Sequence, residues 1–347
     1  MDLKPYTDDE LKVRHVIQVR NTDVELFDTP IPSRENIRRI YEGKTPMWIP
    51  CTAEMIAVKP DCDPEVRARS PKGGIDGWGV EWVWEGVGAM VRPGNPKVRD
   101  ITQWEKYVSP PDPDTWDWQG CRERIRDRIP PDHMLLIASN SCMFERLIAV
   151  MDFENAAVAL IDEEEKEGVH RFFRAATDAW KKYIRHIRQD LHADVLTLSD
   201  DWGSQRAEFF SVATAREMLV PYIKELCDYA HSLGLLLDLH CCGFVESFVP
   251  LFIEEGFDSW GGQALNDKAK LKAQYGGELV FTHGVYLPRN ASDAEARSAA
   301  ERFVSGIGAD NRVFYNDQYI DPRVHRYIYE LSRKQFDRLA AEGKAIL

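Results

Sequence analysis

The chain has 347 residues, with 44 Lys and Arg against 57 Asp and Glu, a net charge of -13 and a hydrophobic fraction of 44%. That balance repels a nucleic-acid backbone, and no compact basic run offsets it. No apolar segment approaches a membrane span, and the opening MDLKPYTDDELKVRHVIQVR lacks the apolar block of a secretory signal, so a soluble cytoplasmic protein is expected.

The first 130 residues are irregular. Ser33 can cap a helix over RENIRRIYEG, and TPMWIPCT reads as a strand from Met47. KGGIDGWGVEWVWEGVGAMVR mixes glycine, tryptophan and alternating apolar positions, which suits a hairpin over a pocket. The stretch SPPDPDTWDWQG then makes a surface connection. After Pro131 the chain becomes regular. HMLLIAS is a strand, and FERLIAVMDFENAAVALIDE gives two short helices. A long helix follows, with apolar returns at Val169, Phe172, Phe173, Ala176, Trp180, Ile184 and Ile187. ADVLTLSDDWGS is a strand with its exit loop. The next helix bends or restarts at Pro221 and ends at Gly234. LLLDLHCCG, FDSWGG, ELVFTHG and RVFYND are further strands separated by helices. Asp321 and Pro322 open the last helix.

The later strands are almost unbroken apolar runs, which implies a parallel sheet buried on both faces. No glycine-rich nucleotide fingerprint follows an early strand. Polar residues recur instead at strand ends: Asp200 and Asp201, His240 and Cys242, Gln263, His283, Asn316 and Asp317. In a barrel such ends share one rim. The expected fold is α/β, a (β/α)8 TIM barrel with an irregular N-terminal extension. Residues 1–347 would form one domain, with 1–45 a helical extension packed on it. The 10 Trp, 12 Tyr and 15 Phe are ample for its core. The seven cysteines show no bridge framework, which fits free thiols in a reducing compartment.

His240 and Cys242 stand two apart on a turn after a strand. Imidazole and thiolate together suit zinc. The alternative is a capping histidine and a packed thiol. A zinc site needs a third ligand, and His283 at the end of LVFTH is the candidate. Asp238 precedes His240 by two, so it shares that side of the strand and can orient the imidazole or accept a proton. Asp201 and Gln205 in SDDWGSQ can act on a substrate group; the alternative is a helix-capping role. Asp201, Asp238 and Gln205 are thus the candidate catalytic residues. Glu81, Trp82, Asp200 and Asn316 are candidates for substrate binding, and His240, Cys242 and His283 for the metal.

With SDDWGSQRAEFFS, MLVPYIKELCDYAHSLG, LLLDLHCCG, FDSWGGQ and FTHGV in this order, the chain resembles the uroporphyrinogen decarboxylase superfamily over roughly residues 130 to 335. The resemblance implies a (β/α)8 barrel. Decarboxylases of this kind clamp an anionic tetrapyrrole with arginines after an early strand, but TPMWIPCTAEMIAVKP contains none. The cobalamin-dependent methyltransferase branch binds zinc through a His-x-Cys pair matched by His240 and Cys242. Its later cysteine is absent here, and His283 or Asp317 is the candidate substitute. The resemblance therefore implies methyl transfer between a small methoxylated or methylated compound and a corrinoid protein, as in O-demethylation. Zinc would be the metal. The corrinoid (cobalamin) would come on a separate partner protein, and a homodimer is left open. The alternatives are a divergent lyase acting on a smaller carboxylic acid and a non-catalytic binding barrel.

Overall fold

Apolar periodicity decides where the regular elements form. The computed structural model describes residues 4–19, 22–65, 73–84, 89–139, 141–316 and 320–347. The chain divides into two compact units. One comprises Met1–Ile56, Ile129–Met134 and Asp258–Leu347; the other comprises Ala57–Arg128 and Leu135–Phe257.

In the second unit the strands Met134–Ala138, Val195–Ser199 and Leu236–His240 run parallel side by side. Leu196, Leu198, Leu237 and Leu239 are buried, as their unbroken apolar runs demand. The helix Lys166–Gln189 buries Val169, Phe172, Phe173, Ala176, Ile184 and Ile187, the stripe expected from its spacing. One helix, Val212–Met218, stops before a second, Val220–Ser232, and Pro221 lies in the first turn of the latter. A proline lacks the N–H that a helix interior needs but the first turn does not. The tryptophan-rich segment forms an antiparallel sheet of Gly74–Ile75, Glu81–Trp84 and Ala89–Val91.

In the first unit the strands Ser259–Trp260, Val280–His283 and Phe314–Tyr315 are parallel. The helices Asp293–Ser305 and Pro322–Ala341 cover a core that includes Val24, Ile49, Val304, Val313 and Ile328. Asp321 caps the latter by accepting from the Arg323 N–H. Residues 1–45 hold more than the helical extension expected. Val13–Val19 pairs antiparallel with Thr22–Phe27, and the helix Ser33–Tyr41 follows. Alternation explains the pair: Val24 and Leu26 are buried while the alternate residues Asp23 and Glu25 are less so.

The stretch from Met47 is buried but is not the strand the sequence suggests. Pro46 and Pro50 carry no N–H. The Met47 N–H donates to Asn36 Oδ1 (2.7 Å) and the Ile49 N–H to Ser332 Oγ (3.0 Å). With its donors spent on side chains, the stretch keeps only an isolated bridge from Cys51 to Tyr315. The strand begins later, at Met55–Val58. Among the described residues the parallel set therefore counts seven strands where a closed (β/α)8 barrel needs eight. Among the described residues, no helix is long and apolar enough to cross a membrane.

Glu255, at the end of the helix Val249–Glu255, is fully buried, and among the described residues neither carboxyl oxygen has a hydrogen-bond partner. Burial first, then the Asp200 charge, pushes its pKa well above the ordinary 4.5. The folded state therefore keeps a proton that the unfolded chain releases above pH 4.5, and stability falls as pH rises by about 1.4 kcal/mol per unit. Glu255→Gln removes this dependence. Its stability advantage over the parent should grow steadily from pH 5 to pH 8 in urea titrations; a pH-independent difference would show that the carboxyl is ionised in the fold.

Candidate metal centre

The site is built within the second unit, where two neighbouring strands end. Ser199 pairs with His240, so both strands finish at the same level. Asp200 continues the register by donating its N–H to the His240 carbonyl (3.0 Å). The exit loops then pack backbone against backbone. A Cβ on Gly243, whose φ is 91°, would lie 2.0 Å from the Gly203 carbonyl oxygen, and one on Gly203 would lie 2.5 Å from that of Phe244. Only glycine satisfies both positions. The Phe244 N–H donates to the Ser204 carbonyl (2.7 Å) across the contact.

That approach brings Asp201 onto the histidine–cysteine turn. Its Oδ1 accepts the Cys242 N–H at 2.7 Å. Cys242 Sγ lies 3.3 Å from His240 Nε2. Donor atoms of Asp201, His240 and Cys242 all lie within 4.8 Å of one another. Two such donors on one tetrahedral zinc stand about 3.5 Å apart, given Zn–S near 2.3 Å and Zn–N near 2.0 Å. The His240–Cys242 pair matches that spacing, and the three donors fit zinc in their chemistry. Three protein donors leave a fourth position for a reacting group. His240 is exposed and Cys242 half-buried, so the group is open to solvent.

The neighbouring residues have different tasks. Asp200 is buried and accepts from the Phe144 N–H (3.1 Å), the Glu145 N–H (2.8 Å) and Trp202 Nε1 (2.8 Å). It starts the helix Phe144–Met151 and anchors an indole. Burial raises its pKa to about 6, against the pull of these donors. Cys241 is buried, its sulphur accepts from the Trp202 N–H (3.4 Å), and burial pushes its thiol well up. Asp238 is opposite Thr197 and accepts from its hydroxyl (3.0 Å). Gln205 is exposed on the turn in which Ser204 bonds Ala207. Trp82 is buried with its Nε1 donating to Asp76 Oδ2 (2.9 Å), and Glu81 pairs with Arg92 (2.9 Å).

His283 and Asn316 belong to the first unit, where the Asn316 N–H donates to the His283 carbonyl (2.7 Å). His283 Nε2 is buried without a hydrogen-bond partner. Burial, then the charges of Lys268 and Lys272, lower its pKa to about 3. Asp317 lies outside the described residues. Sequence reasoning missed Lys268, whose Nζ donates to the Gly262 and Thr282 carbonyls (2.7 Å each) and whose pKa burial lowers to about 8. A lysine in DKAKLKAQYG carries no sign of burial.

The fold has a solved counterpart. A methyltransferase from Methanosarcina mazei superposes with a TM-score of 0.62 at 15% identity, over 88% of this chain and 99% of that one. A sugar phosphate isomerase/epimerase from Parabacteroides distasonis matches at a TM-score of 0.33 and 9% identity, over 71% and 90% of the two chains, too distant to argue from. No protein-family model matches the chain. No curated protein matches it. The first likeness establishes an α/β fold of the TIM-like kind.

Gly243→Ala tests the loop contact. The left-handed backbone alone costs on the order of 1–3 kcal/mol for alanine, and the carbonyl clash adds to it. Chemical denaturation should show a loss of about 3 kcal/mol; a change within 0.5 kcal/mol would mean the loops separate freely.

Proposed function

We propose that the chain is a methyltransferase of the uroporphyrinogen decarboxylase-like kind. It moves a methyl group between a small methylated or methoxylated compound, such as an aromatic ether, and a corrinoid carried by a partner protein in the cytoplasm. The observation that carries this reading is the Asp201–His240–Cys242 donor set at two strand ends. The fold likeness to the M. mazei methyltransferase agrees with it.

His240, Cys242 and Asp201 would hold zinc, with Asp201 taken as third donor because its carboxylate lies in the donor group. A zinc ion so held supplies Lewis acidity toward a methyl-bearing heteroatom, or lowers the pKa of an accepting thiol. Asp201 also fixes the Cys242 turn through its amide. Asp238, two positions before His240 on the same side of the strand, accepts a proton or orients the substrate while Thr197 holds it. Gln205, on the exposed adjoining turn, offers its amide to the substrate. Exposure of His240 leaves the group reachable by a docked partner protein. The absence of arginine from the segment TPMWIPCTAEMIAVKP argues against a polyanionic decarboxylase substrate.

The test combines metal analysis with turnover. Protein incubated with zinc and desalted should carry one equivalent, and His240→Ala and Cys242→Ser should each weaken retention by at least about 100-fold. With reduced corrinoid, a panel of methoxy-aromatics, thiols and methylamines should yield a demethylated product that both variants fail to make. Demethylation independent of corrinoid, or zinc retained by both variants, would overturn the reading. Carbon dioxide release from a small acid would replace it with the lyase alternative.

A further inference from the structure

A second cavity lies in the same unit, and none of its lining residues belongs to the metal-donor group. It is a groove partly open to the surface, with about 430 Å³ of empty space when that opening is included. Its walls are aromatic. The Trp116 and Trp180 rings stand at 70° and 85° to the Tyr183 ring, with centroids 6.0 and 5.3 Å away, and Trp78 adds a fourth surface. Rings set nearly square to one another present faces and edges to one volume. Trp116 and Trp180 are half-buried, so the cavity reaches the protein surface.

The polar groups in it are mostly acidic. Arg146 is the cavity's guanidinium, and it is already neutralised: its Nη2 pairs with Glu65 (2.5 Å) and its Nη1 with Asp76 (2.6 Å). Asp63 also lines the cavity, is 5% exposed, and forms no ion pair among the described residues. Its Oδ1 accepts the Glu65 N–H (2.9 Å). Burial, then the Glu65 charge, raises its pKa to about 7, against the pull of the Arg146 charge and the Tyr183 hydroxyl. Among the described residues, two carboxylates, Asp63 and Glu65, line the cavity with one guanidinium, Arg146, whose second partner is Asp76. Against this lining an anion would meet net negative charge, and a neutral ligand would leave that charge uncompensated.

We propose that this cavity binds a small organic ammonium ion, with Trp78, Trp116, Trp180 and Tyr183 around its alkyl groups and Asp63 as the counter-charge. Aromatic faces attract a desolvated cation through the ring quadrupole, and a quaternary ammonium presents methyl groups that fill an aromatic box. A metal ion is poorly served by such walls. The assignment is independent of methyl transfer and of zinc.

Choline is the probe. Calorimetry of the full chain should show saturable binding of choline. Its uncharged carbon analogue, 3,3-dimethylbutan-1-ol, should bind at least tenfold more weakly. Asp63→Asn and Trp180→Leu should each weaken choline at least tenfold, with circular dichroism confirming the fold. If Asp63→Asn fails to fold, Trp180→Leu on the half-buried helix face and the choline–alcohol comparison decide. Absence of saturable choline binding, equal binding of the alcohol, or full choline affinity in a folded variant would each overturn the proposal.

Discussion

The contact between Gly203 and Gly243 is the constraint on which the candidate centre depends. Two parallel strands end in register, but register alone only puts their exit loops on the same level. A side chain at either glycine would drive the loops apart, because each would-be Cβ meets backbone rather than a movable side chain. Without the contact, the Asp201 carboxylate could not accept the Cys242 amide at 2.7 Å, and the oxygen donor would leave the sulphur and the imidazole. The site is thus organised by backbone shape first and by donor chemistry second. The same contact gives the turn the rigidity that a three-donor metal site would need to keep a fourth position open.

Two adjacent pairs show how the chain separates packing from chemistry. Asp200 and Asp201 are neighbours, yet one spends its carboxylate on three buried donors and the other reaches the neighbouring loop. Cys241 and Cys242 divide in the same way: the first thiol is buried against Trp202, the second is half-buried beside His240. In each pair the inward residue holds its loop against the core. The outward residue then projects from a fixed base. Pairing is economical on a strand exit, where successive side chains leave in different directions.

This division limits what the sequence could disclose. The strands and helices after Pro131 were legible because their apolar periodicity is local, and the restart at Pro221 follows from one missing N–H. The closeness of His240 and Cys242 was legible for the same reason, since they stand two apart on one turn. Which of the two aspartates turns toward it was not, since SDDWGS supports capping and chemistry equally. The Met47 stretch misled because its competitors for the backbone donors, Asn36 and Ser332, lie 11 and 283 residues away. The buried ion web around Arg146 was invisible for a related cause: its partners are 70 and 81 positions distant, and no short motif announces them.

That web also explains why one buried carboxylate, rather than another, points to a ligand. Asp76 accepts from the Trp78 and Val80 amides, the Trp82 indole and Arg146, so its charge is fully met by the fold. Asp200 has three donors and needs none beyond them. Glu255 has no hydrogen-bond partner among the described residues and lines none of the described cavities, so neutrality is its resolution. Asp63 differs from all three. It combines deep burial and a like-charged neighbour with a position on a cavity wall, and it forms no ion pair among the described residues. A cation entering the cavity would stabilise the ionised form of this carboxylate, whose desolvation has already been met on folding. Aromatic walls that favour cations over anions lie around the same volume, so shape and charge select the same class of ligand.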